Sequence, residues 1–496
     1  MEKNCSQKHQ SALSIILYLL ISVGVFLVIY QFLFNRSLWI DEAQIALNII
    51  NKDFLELLKP LDHYQAAPIG FLFIERVSVL VFGKNEIALR LFPFISFLFS
   101  IPFLYLFTKK LTNNNIVALL STAIFTSIVM VLRYSSEVKQ YPIDILFAMM
   151  ILYFTLSLHF NKNRSLFIYA ILGVIAIWFS NTSVIILTVA GLYLLYTEFY
   201  KKKNYKIVWP FLFWAISLMI YYYFFVHNHP LAEFMRSCWA GAFIPLNPFS
   251  KVFYIFIYSH VVNMYHLLGF TGYLWLIPFT VSLSGIVFMI KYQKYTLLYF
   301  SISPIILHLF LSGLELYPFT GRFLLYIVPL IILMYAFGLY YMFDFINKKI
   351  TRLPNLLLVL PVLIMFYPVY VSFPIEVEEI RKSLKYIEKN IKNDEKIYLY
   401  YGAGMAYNFY KDANIIDINN TMIVGSRHRD EYSKYDNELS NLRGKVWLLF
   451  SHVYPWRTSD NEEKYMVDYL LSKGVKVIDV KKYTGSSTYY IDTKKF

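Results

Sequence analysis

Long apolar runs separated by short polar clusters fill the first three quarters of this chain. Runs near 13–34, 87–108, 116–132, 142–158, 165–180, 183–199, 207–226, 273–290, 296–312, 323–343 and 355–371 approach the roughly 20 apolar residues needed to cross a bilayer. They predict about eleven transmembrane helices. The first run follows Lys3 and Lys8 as a signal peptide would, but its 22 uncharged residues are long for one and no small-residue cleavage site follows, which predicts a retained helix. From about Ile375 the apolar runs shorten and Lys, Asp, Glu and Asn become common. There Glu376–Lys392 and Asp460–Ser472 read as helices, and Lys396–Gly402, Lys445–Ser451, Val475–Val480 and Ser487–Asp492 as strands. The pattern predicts a transmembrane domain over 1–372 and a small soluble α/β domain over 373–496.

Composition sharpens this into a class. Hydrophobic residues make up 58% and charged residues 16% of 496, and the mean hydropathy is +0.49, which excludes an ordinary soluble enzyme. Lys109–Lys110, Lys162 with Arg164, Lys201–Lys203 with Lys206, Lys291 with Lys294, and Lys348–Lys349 with Arg352 fall in alternate loops. The positive-inside rule assigns those loops to the cytoplasm and predicts that 35–86, 133–141, 227–272, 313–322 and the C-terminal domain lie outside. The net charge of +14 then mostly records topology, and nucleic acid is not expected as a partner. Cys5 and Cys238 fall on opposite sides and cannot pair.

Candidate chemistry gathers in the outer loops. Ser37–Ile50 carries adjacent carboxylates, Asp41 and Glu42, directly after the first apolar run. As a helix it would turn Trp39, Ala43, Ala46, Leu47 and Ile50 toward lipid and Asp41, Gln44 and Asn48 away from it. Asp41 would then face a protein cavity at the bilayer edge; the alternative is that both acids merely complement the helix dipole. Glu75 and Arg76 interrupt an apolar run, which predicts an interfacial or protein-buried helix. The turn from Arg133 to Asp144 is dense in charge, with Glu137 and Lys139 between them, and reads either as mutual ion pairs or as cavity lining. Ser180–Ser183 reads as a plain chain reversal. His227 and His229 lack a third ligand fixed by spacing. Arg322 follows a Pro-Phe-Thr-Gly turn, where its planar fork suits a phosphate.

Trp39-Ile-Asp41-Glu42-Ala, Pro68 to Gly83, Glu86 to Arg90, Glu137 to Asp144 and Tyr317-Pro-Phe-Thr-Gly-Arg322 together resemble the GT-C superfamily of integral-membrane glycosyltransferases. The nearest branch is similar to the bacterial lipid-linked-sugar transferases related to protein O-mannosyltransferases and lipid A aminoarabinose transferases, over about residues 10–370. The resemblance implies a multi-pass protein of the bacterial plasma membrane, with its C-terminal domain extracytoplasmic. It would transfer a sugar from a polyprenyl-phosphate donor to a cell-envelope glycan, lipid or protein acceptor on the outer side. It implies that Asp41 is the base or orienting carboxylate and Glu42 its neighbour. Either Glu137 or Asp144 would be the acid of the second loop. No cofactor is implied with certainty, and a divalent metal is left open; no Asp-X-Asp motif of the nucleotide-sugar type lies in an outer loop.

The chemistry agrees with that implication. An attacking hydroxyl needs a carboxylate to take its proton, a departing phosphate needs cationic groups, and Arg133, Lys139 and Arg322 supply them. A single displacement would invert the anomeric centre. The competing class is a polytopic transporter or flippase of lipid-linked glycans, which should show internal repeats and charges within spans; the charges here lie mostly at span ends.

Overall fold

A chain segment surrounded by lipid must satisfy its own backbone hydrogen bonds, and the apolar runs accordingly fold as helices. In chain order the helices are α1 (Glu2–Phe34), α2 (Ile40–Asn51), α3 (Ile69–Phe82), α4 (Glu86–Thr112), α5 (Asn115–Thr126), α6 (Val129–Tyr134), α7 (Tyr141–Ser157) and α8 (Asn163–Phe179). They continue as α9 (Ser183–Leu194), α10 (Val208–Tyr221), α11 (Ala232–Cys238), α12 (Lys251–Leu267), α13 (Leu276–Lys291), α14 (Tyr295–Gly313), α15 (Val328–Lys349) and α16 (Leu360–Ser372). The computed structural model describes residues 2–227, 229–270, 272–349, 353–455 and 458–493. Arg352 lies outside the described residues, as do the side chains of Lys3, Cys5 and Lys8.

Among the described residues eight helical stretches are long and apolar enough to cross a membrane: Ser11–Phe34, Glu86–Thr112, Ser183–Lys201, Tyr205–Val226, Gly272–Lys291, Tyr295–Gly313, Val328–Lys349 and Asn355–Ser372. At the positions of the other three expected spans stand shorter apolar helices, α5, α7 and α8. The span expected over 116–132 is broken: α5 closes at Thr126, and the chain restarts as α6 after an extended Ile128. All of α5 from Ile116 to Thr126 is buried, as a helix apolar on every side should be.

The chain divides into two compact units, one of Met1–Leu33, Ala67–Ile74 and Arg90–Phe373, the other of Phe34–Ala66, Glu75–Leu89 and Pro374–Phe496. In the first unit, small residues let helices approach closely. A Cβ added at Gly285 of α13 would stand 2.3 Å from the Met334 carbonyl of α15, and one at Gly338 would stand 2.1 Å from the Val281 carbonyl. Large apolar side chains such as Leu19, Phe26, Phe213, Met219, Ile364 and Tyr367 stay exposed, a surface that suits lipid rather than water.

The second unit contains the C-terminal domain, with α17 (Ile380–Asn390), β1 (Lys396–Leu399), α18 (Gly404–Asp412), β2 (Met422–Val424), α19 (Lys434–Ser440), β3 (Lys445–Ser451), α20 (Glu462–Ser472), β4 (Lys476–Tyr483) and β5 (Ser486–Asp492). The sheet order is β2-β1-β3-β5-β4. β1 pairs with β2 and β3 in parallel, while β5 pairs antiparallel with β3 and β4. A two-residue turn joins β4 to β5, and Gly485 supplies its positive φ of 64°. Val446, Leu448, Phe450, Met466, Leu470 and Ile491 form the buried core. Glu462, wholly buried at the start of α20, accepts the hydroxyls of Tyr400, Tyr401 and Tyr435, which is how a carboxylate becomes tolerable inside a core.

Candidate active site

The acidic pair lies where the sequence puts it, in the first turn of α2, but its two members differ. Glu42 is fully buried and its Oε2 accepts from Arg36 Nη1 at 2.8 Å, with Arg36 itself 1% exposed. Asp41 is half-exposed, and so are Ile40 before it and Gln44 one turn on. The face expected to lie on lipid does not. Trp39, Ala43, Ala46, Leu47 and Ile50 are all buried in protein, because the second unit wraps α2 with α18 and the loop that follows it. Asn48 is buried too; its amide reaches the Gln44 and Asp62 carbonyls and its oxygen accepts from Asp62 N at 2.8 Å, which pins that loop.

Both ends of α2 are held by side chains distant in sequence. At its C-terminal end the unmatched carbonyls of Ile49 and Ile50 accept from Arg76 Nη1 at 2.9 and 3.0 Å, the favourable position for a cation. At its N-terminal end Trp39 offers no capping acceptor, and the C-terminal domain supplies one instead. Ile40 N donates to Glu378 Oε2 at 3.1 Å, Leu38 N to the Tyr410 hydroxyl at 2.8 Å, and Ser37 N to Glu379 Oε1 at 3.3 Å. The Ser37 hydroxyl donates to Glu379 Oε2 at 3.1 Å, and Arg381 joins Glu86 to the Asn35 carbonyl. Glu75, on α3 beside Arg76, is 0% exposed, and neither of its carboxylate oxygens has a hydrogen-bond partner among the described residues. Burial raises its pKa well above the usual carboxylate range.

The second-loop residues belong to the first unit. Tyr134 through Ile145 are buried throughout, so this charged turn is enclosed in protein rather than spread on a surface. Arg133 Nε stands 3.9 Å from Glu137 Oε2, a long ion pair between α6 and the turn, and Glu137 is 0% exposed. Lys139 is 6% exposed and Asp144 3%. Asp144 Oδ1 accepts from the Ser180 hydroxyl at 2.6 Å, and Ser180 Oγ lies 3.2 Å from Thr182 Oγ1. Next to it Asn181 Oδ1 accepts from the Tyr221 hydroxyl at 2.9 Å. The turn that the sequence suggests only reverses the chain therefore supplies polar partners to an acid and a phenol. A hydroxyl-amide-hydroxyl run opposite an acid buried one turn into a helix was the available signal.

Arg322 enters from a one-turn helical segment after Gly321, whose φ is +45°. Its guanidinium carbon lies 5.9 Å from the Tyr141 ring, 5.8 Å from Trp239 and 6.0 Å from Phe323. Such a collar holds a cation through the faces of its rings. Glu315 is exposed and makes no ion pair among the described residues, so it does not bridge to Arg322. Beside this collar His308 is buried, with Nε2 at 3.1 Å from the Pro318 carbonyl and Nδ1 at 3.0 Å from the Tyr326 hydroxyl. That places the proton on Nε2 and leaves Nδ1 to accept; nothing in the spacing of these residues pointed to His308. Among the described residues no three of His, Cys, Asp and Glu converge as a metal site.

Residues 66–227 match the family described as dolichyl-phosphate-mannose-protein mannosyltransferase. A stretch of 118 residues is 32% identical to the undecaprenyl phosphate-alpha-4-amino-4-deoxy-L-arabinose arabinosyl transferase of Wigglesworthia glossinidia brevipalpis; it covers 22% of this chain and 21% of that relative. The chain thus spans about a fifth of the length of the curated relative it matches. The fold is similar to that of ArnT from Cupriavidus metallidurans bound to undecaprenyl phosphate, with a TM-score of 0.54 at 11% identity over 95% of this chain and 97% of that one. The apo form of the same protein gives 0.52 over the same shares. The likeness in sequence is thus confined to part of the chain, residues 66–227 for the mannosyltransferase family, whereas the likeness in fold extends over 95% of it.

Proposed function

We propose that this protein is an inverting glycosyltransferase that moves a sugar from a polyprenyl-phosphate donor to a cell-envelope acceptor at the outer face of a bacterial plasma membrane. The observation that carries the reading is the division of labour in the acidic pair: Glu42 is committed to Arg36, whereas Asp41 stands half-exposed on a helix fixed at both ends. A base must reach its substrate and hold its place. Partial exposure on an anchored helix suits Asp41 to both requirements.

In this reading the acceptor hydroxyl attacks the anomeric carbon as Asp41 takes its proton. The new glycosidic bond forms while the bond from the anomeric carbon to the phosphate oxygen breaks. Polyprenyl phosphate leaves with the electron pair, and the anomeric configuration inverts. Arg133, Lys139 and Arg322 are the cations proposed to stabilise that leaving phosphate, and Asp144, held by Ser180, is the second acid of choice over Glu137 because Glu137 is already engaged with Arg133. The mannosyltransferase family and the arabinosyl transferase are both named for sugars carried on a lipid phosphate, which supports a donor of that class.

The test is release of polyprenyl phosphate when the purified protein meets polyprenyl-phosphate-linked sugars in the presence of envelope extract. Release that depends on the protein supports the reading; translocation of the intact lipid-linked sugar without release would favour a flippase. Orientation is tested by cysteine labelling in intact cells, with an exposed position of the C-terminal domain such as Lys473 expected to react and position 203 to stay protected. The reverse pattern would overturn the outer-face assignment.

A further inference from the structure

The backbone amides of Ser37, Leu38 and Ile40 donate to side chains of the C-terminal domain. The amide of Ile40 opens α2, where the helix itself offers no acceptor. Glu378 caps it from more than three hundred residues away, and is only 1% exposed while doing so. Its second oxygen, Oε1, is held by His452 Nδ1 at 2.7 Å. His452 follows β3 directly and carries a φ of +55°, a left-handed backbone that non-glycine residues seldom adopt. Such conformations persist where the surroundings over-determine them, and they concentrate at functional sites. The chain from β3 through His452 and Glu378 to Ile40 N ends one residue before Asp41.

We infer that Glu378, oriented by His452, is a positioning residue for sugar transfer: the C-terminal domain sets the place of Asp41 by capping its helix. The inference rests on the reading of Asp41 as the base. Glu379 and Tyr410 hold Ser37 and Leu38 in the same way, so the acid-bearing turn is anchored by three residues of the domain rather than one. A lateral error of about 1 Å in a reacting group costs on the order of a hundredfold in rate, whereas the affinity for the lipid donor need not change. A cap that only stabilised the fold would lower melting temperature and leave turnover per folded molecule intact.

The experiment uses the full chain in membranes that carry the native acceptor, with polyprenyl-phosphate sugars extracted from the same cells as donor. For Glu378→Ala, kcat is expected to fall about tenfold to a hundredfold with donor KM unchanged, and hydrogen exchange at residues 37–43 to quicken. Glu378→Gln keeps an oxygen for Ile40 N and should recover most of the rate. His452→Ala and Tyr410→Phe disturb the anchor more gently and should shift kcat the same way, which keeps the test decisive if Glu378→Ala does not fold. Faster exchange at 37–43 with undiminished kcat would overturn the inference. Failure of the underlying reading looks different: Asp41→Asn would then turn over normally while the exchange responses stayed as described.

Discussion

Arg36 and Glu42 form an ion pair of 2.8 Å in which neither side chain is more than 1% exposed. An arginine six residues ahead of an acid is not at helical spacing, and it reaches Glu42 across the non-helical residues 35–39 that separate α1 from α2. Removing one partner of a buried pair leaves the other charge uncompensated and costs about 3–5 kcal/mol. Glu42→Ala is therefore expected to lower the melting temperature of the purified protein markedly, whereas Asp41→Asn leaves it unchanged. Thermal unfolding in detergent measures both, and equal melting temperatures for Glu42→Ala and the parent would contradict a structural role for Glu42.

Arg322 is held by aromatic rings rather than by Glu315. Arg322→Ala is expected to weaken binding of polyprenyl phosphate by the roughly 1.5–3 kcal/mol of a charge-assisted contact, about tenfold to a hundred-and-fifty-fold. Arg322→Lys should fall between, since it keeps the charge and loses the fork. Full affinity in the alanine variant, accompanied by a lower melting temperature, would make Arg322 a packing residue.

Glu75 offers a prediction in pH. Its folded-state pKa is raised by burial above the unfolded value of 4.5, so its favourable contribution is complete below that pH and is lost as pH rises toward the folded value. Every tenfold change in proton affinity is worth about 1.4 kcal/mol. Glu75→Gln should therefore raise the melting temperature at pH 7–8 and leave it nearly unchanged at pH 4–5. Superimposable curves of melting temperature against pH would show that Glu75 finds a partner in solution.

Much of the fold was legible because its cause is local. Hydropathy located Ser11–Phe34, Glu86–Thr112 and Asn355–Ser372 within a few residues, and in the tail the run Lys445–Ser451 became β3 with the expected bounds. The break after Thr126 was hidden, since Ser127 and Ile128 carry no Gly or Pro to announce it. The helix expected from Glu376 starts at Ile380; Glu376, Glu378 and Glu379 precede it because Glu378 and Glu379 are turned toward Ser37 and Ile40. That displacement also explains what the candidate site withheld. Which acid of the pair is buried depends on Arg36, and what fixes their helix depends on residues beyond 370, neither of which periodicity can report. Burial of Ala43, Ala46 and Leu47 in protein was equally invisible, because an apolar helix face looks the same whether it meets lipid or another chain segment.

The most direct measurement is the rate of polyprenyl phosphate release by Asp41→Asn beside the parent, at matched amounts of folded protein. The substitution keeps the size of the side chain and removes the charge that takes the proton. The account predicts a loss of at least about a hundredfold in kcat, the lower range for general-base catalysis, with melting temperature and polyprenyl phosphate affinity retained. Release at the parent's rate would contradict it, and the base would have to be sought elsewhere.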